Sequence, residues 1–389
     1  MKVCFETFGC RLNRAEALDQ EAEYLSDGWK LTSSHSDADL IIVRGCSVTR
    51  RAQRDCEQLI AHIRKKYPLK RIRIEGCLAT NSSAKIAARR VPAKANGAQP
   101  VPTRTARAYL KVQDGCAGKC TFCIVPKFRG KSSSVDFNAA LDKAKRFIDA
   151  GYHEIVVTGC NLSLYASGGK RLPELIVALS DLSPDCRIRL GSLEPSDVAS
   201  DVVAAMAGRQ NACRFLHIPI QSASNRILGA MKRPYTAKEA DDLVRSIRRQ
   251  IPDAGIGCDL MTGFPSESDL DFMATKGMLD RDPISRVHVF PFSERPGTPA
   301  ASMAGAVPPE VRRARARELA AIADAKRTAF AKRFIGKTAE IVVEDEDSCS
   351  GWTSEYLWCS CPNAHLKRKS LAKVRITAAD GHNLTGTPV

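Results

Sequence analysis

The chain has 389 residues, 44% hydrophobic and 26% charged, a composition that suits a folded protein of two or three domains. It holds no run of about 18 apolar residues, and its start, MKVCFETFGC, lacks the basic-then-apolar layout of a secretory signal. No membrane span is expected, and a cytoplasmic location is. The net charge of +16 favours a polyanionic partner, most simply nucleic acid, with bare solubility as the plain alternative. Cysteines in a reducing compartment stay unpaired, so 15 of them point to metal binding or catalysis rather than to disulfides.

Val3 to Phe8 predicts a short strand that ends at Gly9-Cys10, and Arg14 to Leu25 carries apolar residues at helical spacing. Asp39 to Arg44, DLIIVR, has the length and composition of a buried strand and runs into Gly45-Cys46. Arg50 to Tyr67 reads as a basic helix, and Arg71 to Glu75 as a further strand that meets Gly76-Cys77. In an open parallel sheet the carboxyl ends of the strands share one edge, where ligands bind. Cys10, Cys46 and Cys77 are therefore expected to converge, each glycine letting the chain turn its thiol over that edge. Three core cysteines are the bland alternative, but recurrence at one place in successive units points to a metal-cluster site. Residues 1–80 form this first α/β domain. Residues 81–105, rich in Ala, Pro and Arg, read as a linker.

Residues 111 to 131, KVQDGCAGKCTFCIVPKFRGK, hold Cys116, Cys120 and Cys123 in a C-x3-C-x2-C spacing, on a loop that Gly115 and Gly118 can bend. Three thiolates this close can reach one soft metal centre. A structural zinc site normally takes four ligands, and a four-iron cluster four cysteines, so three leave a position open. A zinc loop with its fourth ligand elsewhere is the other reading.

From residue 106 to 334 strands and helices alternate, which argues for parallel β/α units. Candidate strands are Ala108 to Val112, Glu154 to Thr158, Arg187 to Gly191, Phe215 to Pro219, Gly255 to Leu260 and Arg286 to Phe290. Candidate helices run Phe137 to Ala150, Leu172 to Leu182, Asp197 to Met206, Ala223 to Met231 and Ala237 to Arg249. Six units suggest an open, partial (β/α)6 barrel with its site at the carboxyl ends of the strands. Gly159, Asn161, Glu194, Gln221 and Asp259 stand at those ends; caps and turns are their plain alternative. His217 lies inside a strand and reads as a packed side chain. Pro308 to Phe334 is a helix rich in Arg and Lys. Residues 335–389 turn to short strands, Thr338 to Val343, Glu355 to Cys359 and Leu371 to Ile376, with a basic run at 366–369 and Lys373 and Arg375 beyond. Cys349, Cys359 and Cys361 lack a fourth ligand at zinc spacing and read as packed residues.

TFGCRLNRAEA, VRGCSVTRRAQRD, IEGCLAT and DGCAGKCTFCIVPKFRGKSSS together resemble the motifs of the methylthiotransferases, a radical S-adenosylmethionine (SAM) subfamily, and the resemblance extends over nearly the whole chain. It implies an α/β protein: an open parallel amino-terminal domain, a central radical SAM barrel, and a small carboxyl-terminal β-barrel of the TRAM kind that grips tRNA. It implies two 4Fe-4S clusters, one auxiliary on Cys10, Cys46 and Cys77, the other on Cys116, Cys120 and Cys123. The open iron of the latter would chelate SAM. Gly159, Asn161, Glu194, Gln221 and Asp259 would then contact SAM, with Phe122 near its adenine. Ala223 and Ser266 stand where such relatives carry Gly, and the stretch between Cys77 and Cys116 is shorter than theirs.

QDGC, NLSLYASG, SLEP and GWTSEYL resemble the branch that acts on threonylcarbamoyladenosine beside the anticodon. The expected reaction is radical methylthiolation at carbon 2 of that base by a monomer, with electrons from a donor such as a flavodoxin or ferredoxin. An adenine C–H bond has no useful acidity, so a cofactor must carry the chemistry. Arg129 is the candidate partner for the threonyl carboxylate. The alternatives are the same chemistry on isopentenyladenosine tRNA or on a ribosomal-protein aspartate, and a non-catalytic iron–sulfur or zinc protein that binds tRNA.

Overall fold

The computed structural model describes residues 1–47, 50–79, 105–195 and 197–389. The expected linker, residues 81–105, lies outside the described residues except for Thr105.

The first unit is a parallel sheet. Its strands β1 (Lys2–Thr7), β2 (Lys30–Thr32), β3 (Leu40–Gly45) and β4 (Arg71–Gly76) stand in the order β2-β1-β3-β4. Helices α1 (Arg11–Ser26) and α2 (Arg50–Lys66) connect them. Side chains alternate across a strand, so Cys4, Ile41 and Val43 pack with Ile60 and Ile63 of α2, while Val3, Leu40 and Ile42 gather with Tyr24 of α1. The sequence reading has no counterpart of β2, because three residues carry too little alternation to register.

The second unit is the expected open barrel. Strands β5 (Ala108–Lys111), β6 (Glu154–Thr158), β7 (Arg187–Leu190), β8 (Phe215–Gln221), β9 (Gly255–Thr262) and β10 (Arg286–Pro291) are parallel and fall where the pattern puts them. They form two sheets, β5-β6-β7 and β8-β9-β10, joined by the bridges Ile188–Ala212 and Ser192–His217. Among the described residues nothing pairs β5 with β10. The short α3 (Val125–Arg129) follows the cysteine loop. Around the outside run α4 (Phe137–Asp149), α5 (Leu172–Ser180), α6 (Asp197–Ala207), α7 (Asn225–Ala230), α8 (Ala237–Gln250) and α9 (Asp269–Arg281). Ile155, Val157, Ile218 and Leu260 meet this helical layer in one apolar core. Helix α9 escapes the sequence reading because its buried stripe of Asp271, Phe272, Thr275, Met278 and Leu279 includes two polar residues.

Helix α10 (Pro309–Lys332) leads to a closed barrel of β11 (Thr338–Asp345), β12 (Ser350–Thr353), β13 (Trp358–Ser360), β14 (Leu371–Asp380) and β15 (Asn383–Pro388). The expected strand at Glu355 to Cys359 is corrected. Tyr356 has a φ of 67°, so the chain turns there and β13 starts at Trp358. Strand β15, NLTGTP, carries the Gly and Pro that argue against a strand in sequence. Cys349, Cys359 and Cys361 lie in the core of this barrel, and the Cys349 thiol donates to the Ala364 carbonyl at 2.9 Å.

The interior of the open barrel is filled from two sides. Ala15 and Leu18 of α1 cover Tyr109 and Val156. Opposite them, the turn between β12 and β13 enters from the carboxyl-terminal barrel. Glu154 is fully buried there, and Arg189 and Arg187 bond its carboxylate at 2.6 and 2.5 Å. Burial opposes ionisation of Glu154, but Arg189, Arg187 and Arg107 hold the carboxyl well below its usual range. The remaining arginine donors reach carbonyls of the incoming barrel: Arg187 those of Glu340 and Trp352, Arg189 those of Thr353 and Ser354. The Tyr356 ring lies 4.8 Å from Phe215. A Cβ at Gly255 would stand 2.3 Å from the Glu355 carbonyl oxygen, so only glycine admits the turn.

Burial would raise the Tyr356 phenol, yet Arg11 and Arg107 beside it bring it down to about 8. Gly255→Val should therefore displace the turn, lower stability in urea unfolding by about 1–3 kcal/mol, and return this phenol toward about 10. Absorbance titration against Tyr356→Phe identifies the signal; an unmoved titration would mean the turn is seated otherwise.

Candidate active site

Register places the thiols of the first unit together. Thr7 pairs with Arg44 and Gly45 with Gly76, which levels the carboxyl ends of β1, β3 and β4. Cys10, Cys46 and Cys77 follow those ends, Cys10 exposed and the other two buried. Gly9 has a φ of 91°, and a Cβ on it would lie 2.6 Å from that of Cys46. Asn13 ties the loops by donating to the carbonyls of Phe8 at 2.8 Å and Gly45 at 3.2 Å. Burial pushes the Cys77 thiol up, Arg129 draws it down, and Cys10 is close enough to raise it again.

The second trio sits on the loop after β5, and Cys116, Cys120 and Cys123 are all half-buried. The loop is pinned at Thr121, whose N–H donates to Met231 and whose hydroxyl donates to Ala230, each at 3.0 Å. Phe122 packs edge-on to Phe264, with centroids 6.5 Å apart. Burial pushes Cys123 up to about 11 and Cys120 upward as well, with Arg233 opposing the latter from 3.1 Å. Ligation of a metal would require the thiolate and would release these protons.

The donor set fits iron–sulfur clusters better than single ions. Zinc–sulfur bonds of about 2.3 Å hold tetrahedral thiolates roughly 3.8 Å apart. Among the described residues, the one trio with ligand atoms within 4.8 Å of each other is Cys4, Glu6 and His35, which belongs to neither cysteine set. Each set is thus spread wider than one ion needs.

The two sites face each other across α3. Cys77, Ile124 and Phe128 share an apolar contact. Arg129, at the end of α3, donates from Nε to Cys77 Sγ at 3.3 Å, from Nη1 to Glu16 and Asp114, and from Nη2 to Asn13 and Glu16. The guanidinium has five N–H groups, and all are engaged. This corrects the expectation that Arg129 reads a substrate carboxylate: it clamps the first unit onto the barrel. Burial opposes the charge on Asp114, but Lys111 and Arg129 bring its carboxyl down to about 2.

The strand-end residues divide. Gln113 receives the Asn161 N–H at 2.9 Å, and a Cβ on Gly159 would lie 2.8 Å from the Gln113 Oε1. Asn161 Nδ2 donates to Glu194 at 3.4 Å, and Glu194 pairs with Arg233 at 2.9 Å, which reaches Cys120. Asn161 and Glu194 are so linked to the cysteine loop. Gln221 has a φ of 70°, and its buried Oε1 lacks a partner among the described residues, the strain expected of a functional position. Asp259 is not brought to this group. It lies within β9 and faces the barrel interior, 3.4 Å from His217 and 3.3 Å from His288. His217 is likewise not packed away: its side chain is 20% exposed and bonds Ser192 at 2.9 Å. In place of glycine, Ser266 takes the left-handed conformation at φ 65°, whereas Ala223 needs none.

Two residues that sequence reasoning missed are Arg233, in the KRPYT segment after α7, and Arg295, in ERPGT after β10. Arg295 is buried, donates to the Ser47 carbonyl beside Cys46, and its Nε has no partner among the described residues. Arg–Pro pairs just past barrel helices and strands were the available signal. Arg129→Gln is expected to cost about 1.5–3 kcal/mol in urea unfolding, since half-buried Glu16 and Asp114 lose a charged donor but keep Lys111, and to lower iron retention at Cys10, Cys46 and Cys77 first. Unchanged stability would show that the clamp is dispensable.

Residues 110–279 match the Radical SAM superfamily, and residues 2–95 match UPF0004, described as an uncharacterized protein family. A threonylcarbamoyladenosine tRNA methylthiotransferase of Bacillus subtilis is 30% identical over 97% of this chain and 94% of its own, and one of Thermotoga maritima 32% over 88% and 86%. A tRNA-2-methylthio-N(6)-dimethylallyladenosine synthase of Aquifex aeolicus is 28% identical over 99% of this chain and 98% of its own. Among solved structures, the radical SAM methyltransferase TsrM of Kitasatospora setae, with cobalamin and a 4Fe-4S cluster bound, superposes with a TM-score of 0.57 at 15% identity over 77% of each chain, which speaks to the fold. The chain belongs to the radical SAM methylthiotransferases, enzymes that use SAM and two 4Fe-4S clusters.

Proposed function

We propose that the protein is a tRNA methylthiotransferase that acts at carbon 2 of threonylcarbamoyladenosine next to the anticodon. The observation that carries the chemistry is the pair of thiol trios, held face to face by α3 and Arg129. Cys10, Cys46 and Cys77 would hold the auxiliary cluster, and Cys116, Cys120 and Cys123 the SAM cluster. When bound, these groups supply the one-electron chemistry, the sulfur and the methyl group that no side chain offers. The protein's own residues position and shield. Asn161, Glu194 and Arg233 line the strand ends beside Cys120, and Phe122, between Cys120 and Cys123, packs on Phe264.

The relatives named for the two tRNA modifications resemble this chain to similar degrees, so the substrate rests on the barrel interior. Its accessible wall is His217, Asp259 and His288, with Arg11 and Arg286 beneath. A charged wall suits a base that bears a carboxylate and offers little to an isopentenyl group, and a site built for a polar group rejects an analogue that lacks it. The base must leave its stack to reach this depth. Lys367, Arg368, Lys373 and Arg375 are exposed on the carboxyl-terminal barrel, Arg368 with its Nε on the Glu344 carbonyl, and can meet RNA phosphates.

Replacing Cys116, Cys120 and Cys123 with Ala is expected to leave about half of roughly eight irons per chain and abolish SAM cleavage. Replacing Cys10, Cys46 and Cys77 should spare SAM cleavage and stop sulfur insertion. One zinc per chain and no iron would refute the chemistry. In competition between tRNAs bearing either modification, preferential methylthiolation of the isopentenyl form would refute the substrate alone.

The quadruple change of Lys367, Arg368, Lys373 and Arg375 to Gln should flatten the plot of log affinity against log salt by about 3–4. Filter binding measures it, and an unchanged slope would move the RNA contact elsewhere. Deleting the whole barrel is a poorer test, because its turn seats inside the central barrel.

A further inference from the structure

Two arginines in the barrel interior stand out because no carboxylate among the described residues pairs with them. Arg286 opens β10 and faces inward, two residues before His288 on the same side of the strand. Among the described residues it makes no ion pair, and its buried Nη1 has no partner. Arg11, the first residue of α1 after Cys10, makes no ion pair among the described residues either; it donates to the Leu190 carbonyl at 3.0 Å. Both guanidinium groups lie over the Tyr356 ring, Arg286 at 4.8 Å and Arg11 at 5.2 Å from its centroid. The nearby carboxylate, Asp259, is already shared by His217 and His288.

We infer that Arg286 and Arg11, bracketing Tyr356 on the barrel floor, form the site that reads the carboxylate of the substrate base. The inference rests on the threonylcarbamoyladenosine reading above. A ring stabilises a nearby guanidinium; Arg286, whose Nη1 has no partner among the described residues, keeps in-plane donors for a planar oxyanion, and Arg11 offers those not spent on the Leu190 carbonyl and the Tyr356 phenol. The two arginines repel each other, and burial disfavours the charge on Arg286 further. An anion relieves both costs; the Tyr356 phenol meets part of that need, and among the described residues no carboxylate pairs with either arginine.

The position also fits. Arg11 adjoins Cys10, a proposed auxiliary-cluster ligand, and its bond to Leu190 places it at the carboxyl end of β7. Ser192 and Glu194 follow on that loop, and Glu194 leads through Arg233 to Cys120. The His288 side chain is 73% exposed, so this wall meets solvent above the arginines. A base inserted there would lie under both thiol sites with its threonyl group directed down to the arginines. The third element, Tyr356, comes from GWTSEYL, and that segment thereby borders the proposed site as well as sealing the barrel.

A phosphate of the RNA backbone is the other oxyanion such a pair could bind, and the test separates the two. The probes are fluorescein-labelled anticodon stem-loop RNAs that carry threonylcarbamoyladenosine, its neutral carboxamide analogue, or unmodified adenosine. Cluster-loaded, SAM-bound protein is titrated with each and followed by anisotropy. The native protein should bind the carboxylate loop about tenfold to a hundredfold more tightly than the carboxamide loop, the range for hydrogen bonds to a charged group. Arg286→Gln should shrink that ratio to about threefold or less, and Arg286→Lys should restore part of it. Cluster absorbance checks folding, and Arg11→Gln gives a second reading if Arg286→Gln fails to load. If the native protein does not discriminate carboxylate from carboxamide, the substrate reading fails. If it does and both variants keep the full ratio, the substrate reading stands and this assignment falls. Equal weakening of all three loops by Arg286→Gln, with a smaller salt slope, would assign the pair to RNA phosphate and also overturn it.

Discussion

The architecture depends on one carboxylate. Glu154 has no solvent exposure, and Arg187, Arg189 and Arg107 converge on it from β7 and the approach to β5. Three positive charges face two negative ones, Glu154 and, paired with Arg107, Glu344 of the carboxyl-terminal barrel, and the excess is one that burial alone would not tolerate. The excess is met by backbone carbonyls of Glu340, Trp352, Thr353 and Ser354, all from the carboxyl-terminal barrel. That barrel is thus not an appendage on a tether. It completes the electrostatics of the central barrel and brings Tyr356 to the floor where Arg11 and Arg286 meet.

What was legible in the sequence was local or strictly repeated. Six parallel strands could be placed because apolar runs of strand length alternate with helical periods. The strand–Gly–Cys pattern located the convergence of Cys10, Cys46 and Cys77 because register in a parallel sheet levels successive strand ends. What escaped was short, polar or distant. Strand β2 is three residues, α9 buries Asp271 and Thr275, and β15 holds Gly and Pro. The role of Arg129 depends on Glu16, 113 positions away, and no spacing rule reports such a pair. A basic residue beside a cysteine motif looked available for a substrate until the five acceptors around it were placed.

Cysteine shows how one residue type is sorted by environment. Cys56, Cys186, Cys213 and Cys258 are buried in cores, where desolvation raises each thiol and keeps it neutral. The six at strand ends and on the loop sit with Arg129, Arg233 and Arg295 nearby. Cationic neighbours favour thiolates, and Arg129 and Arg295 also tie the first unit to the central barrel.

The charged lining of the central barrel also bears on how the chain is made. Arg187 and the Trp352 carbonyl that it bonds are 165 residues apart. At synthesis rates of roughly 5–20 residues per second, the barrel strands wait roughly 10–30 s for their plug. An apolar lining would spend that time as an open, adhesive funnel. Glu154 and its arginines instead leave charged groups that water can solvate until the turn at Tyr356 covers them, so the last wall of the barrel is delivered late.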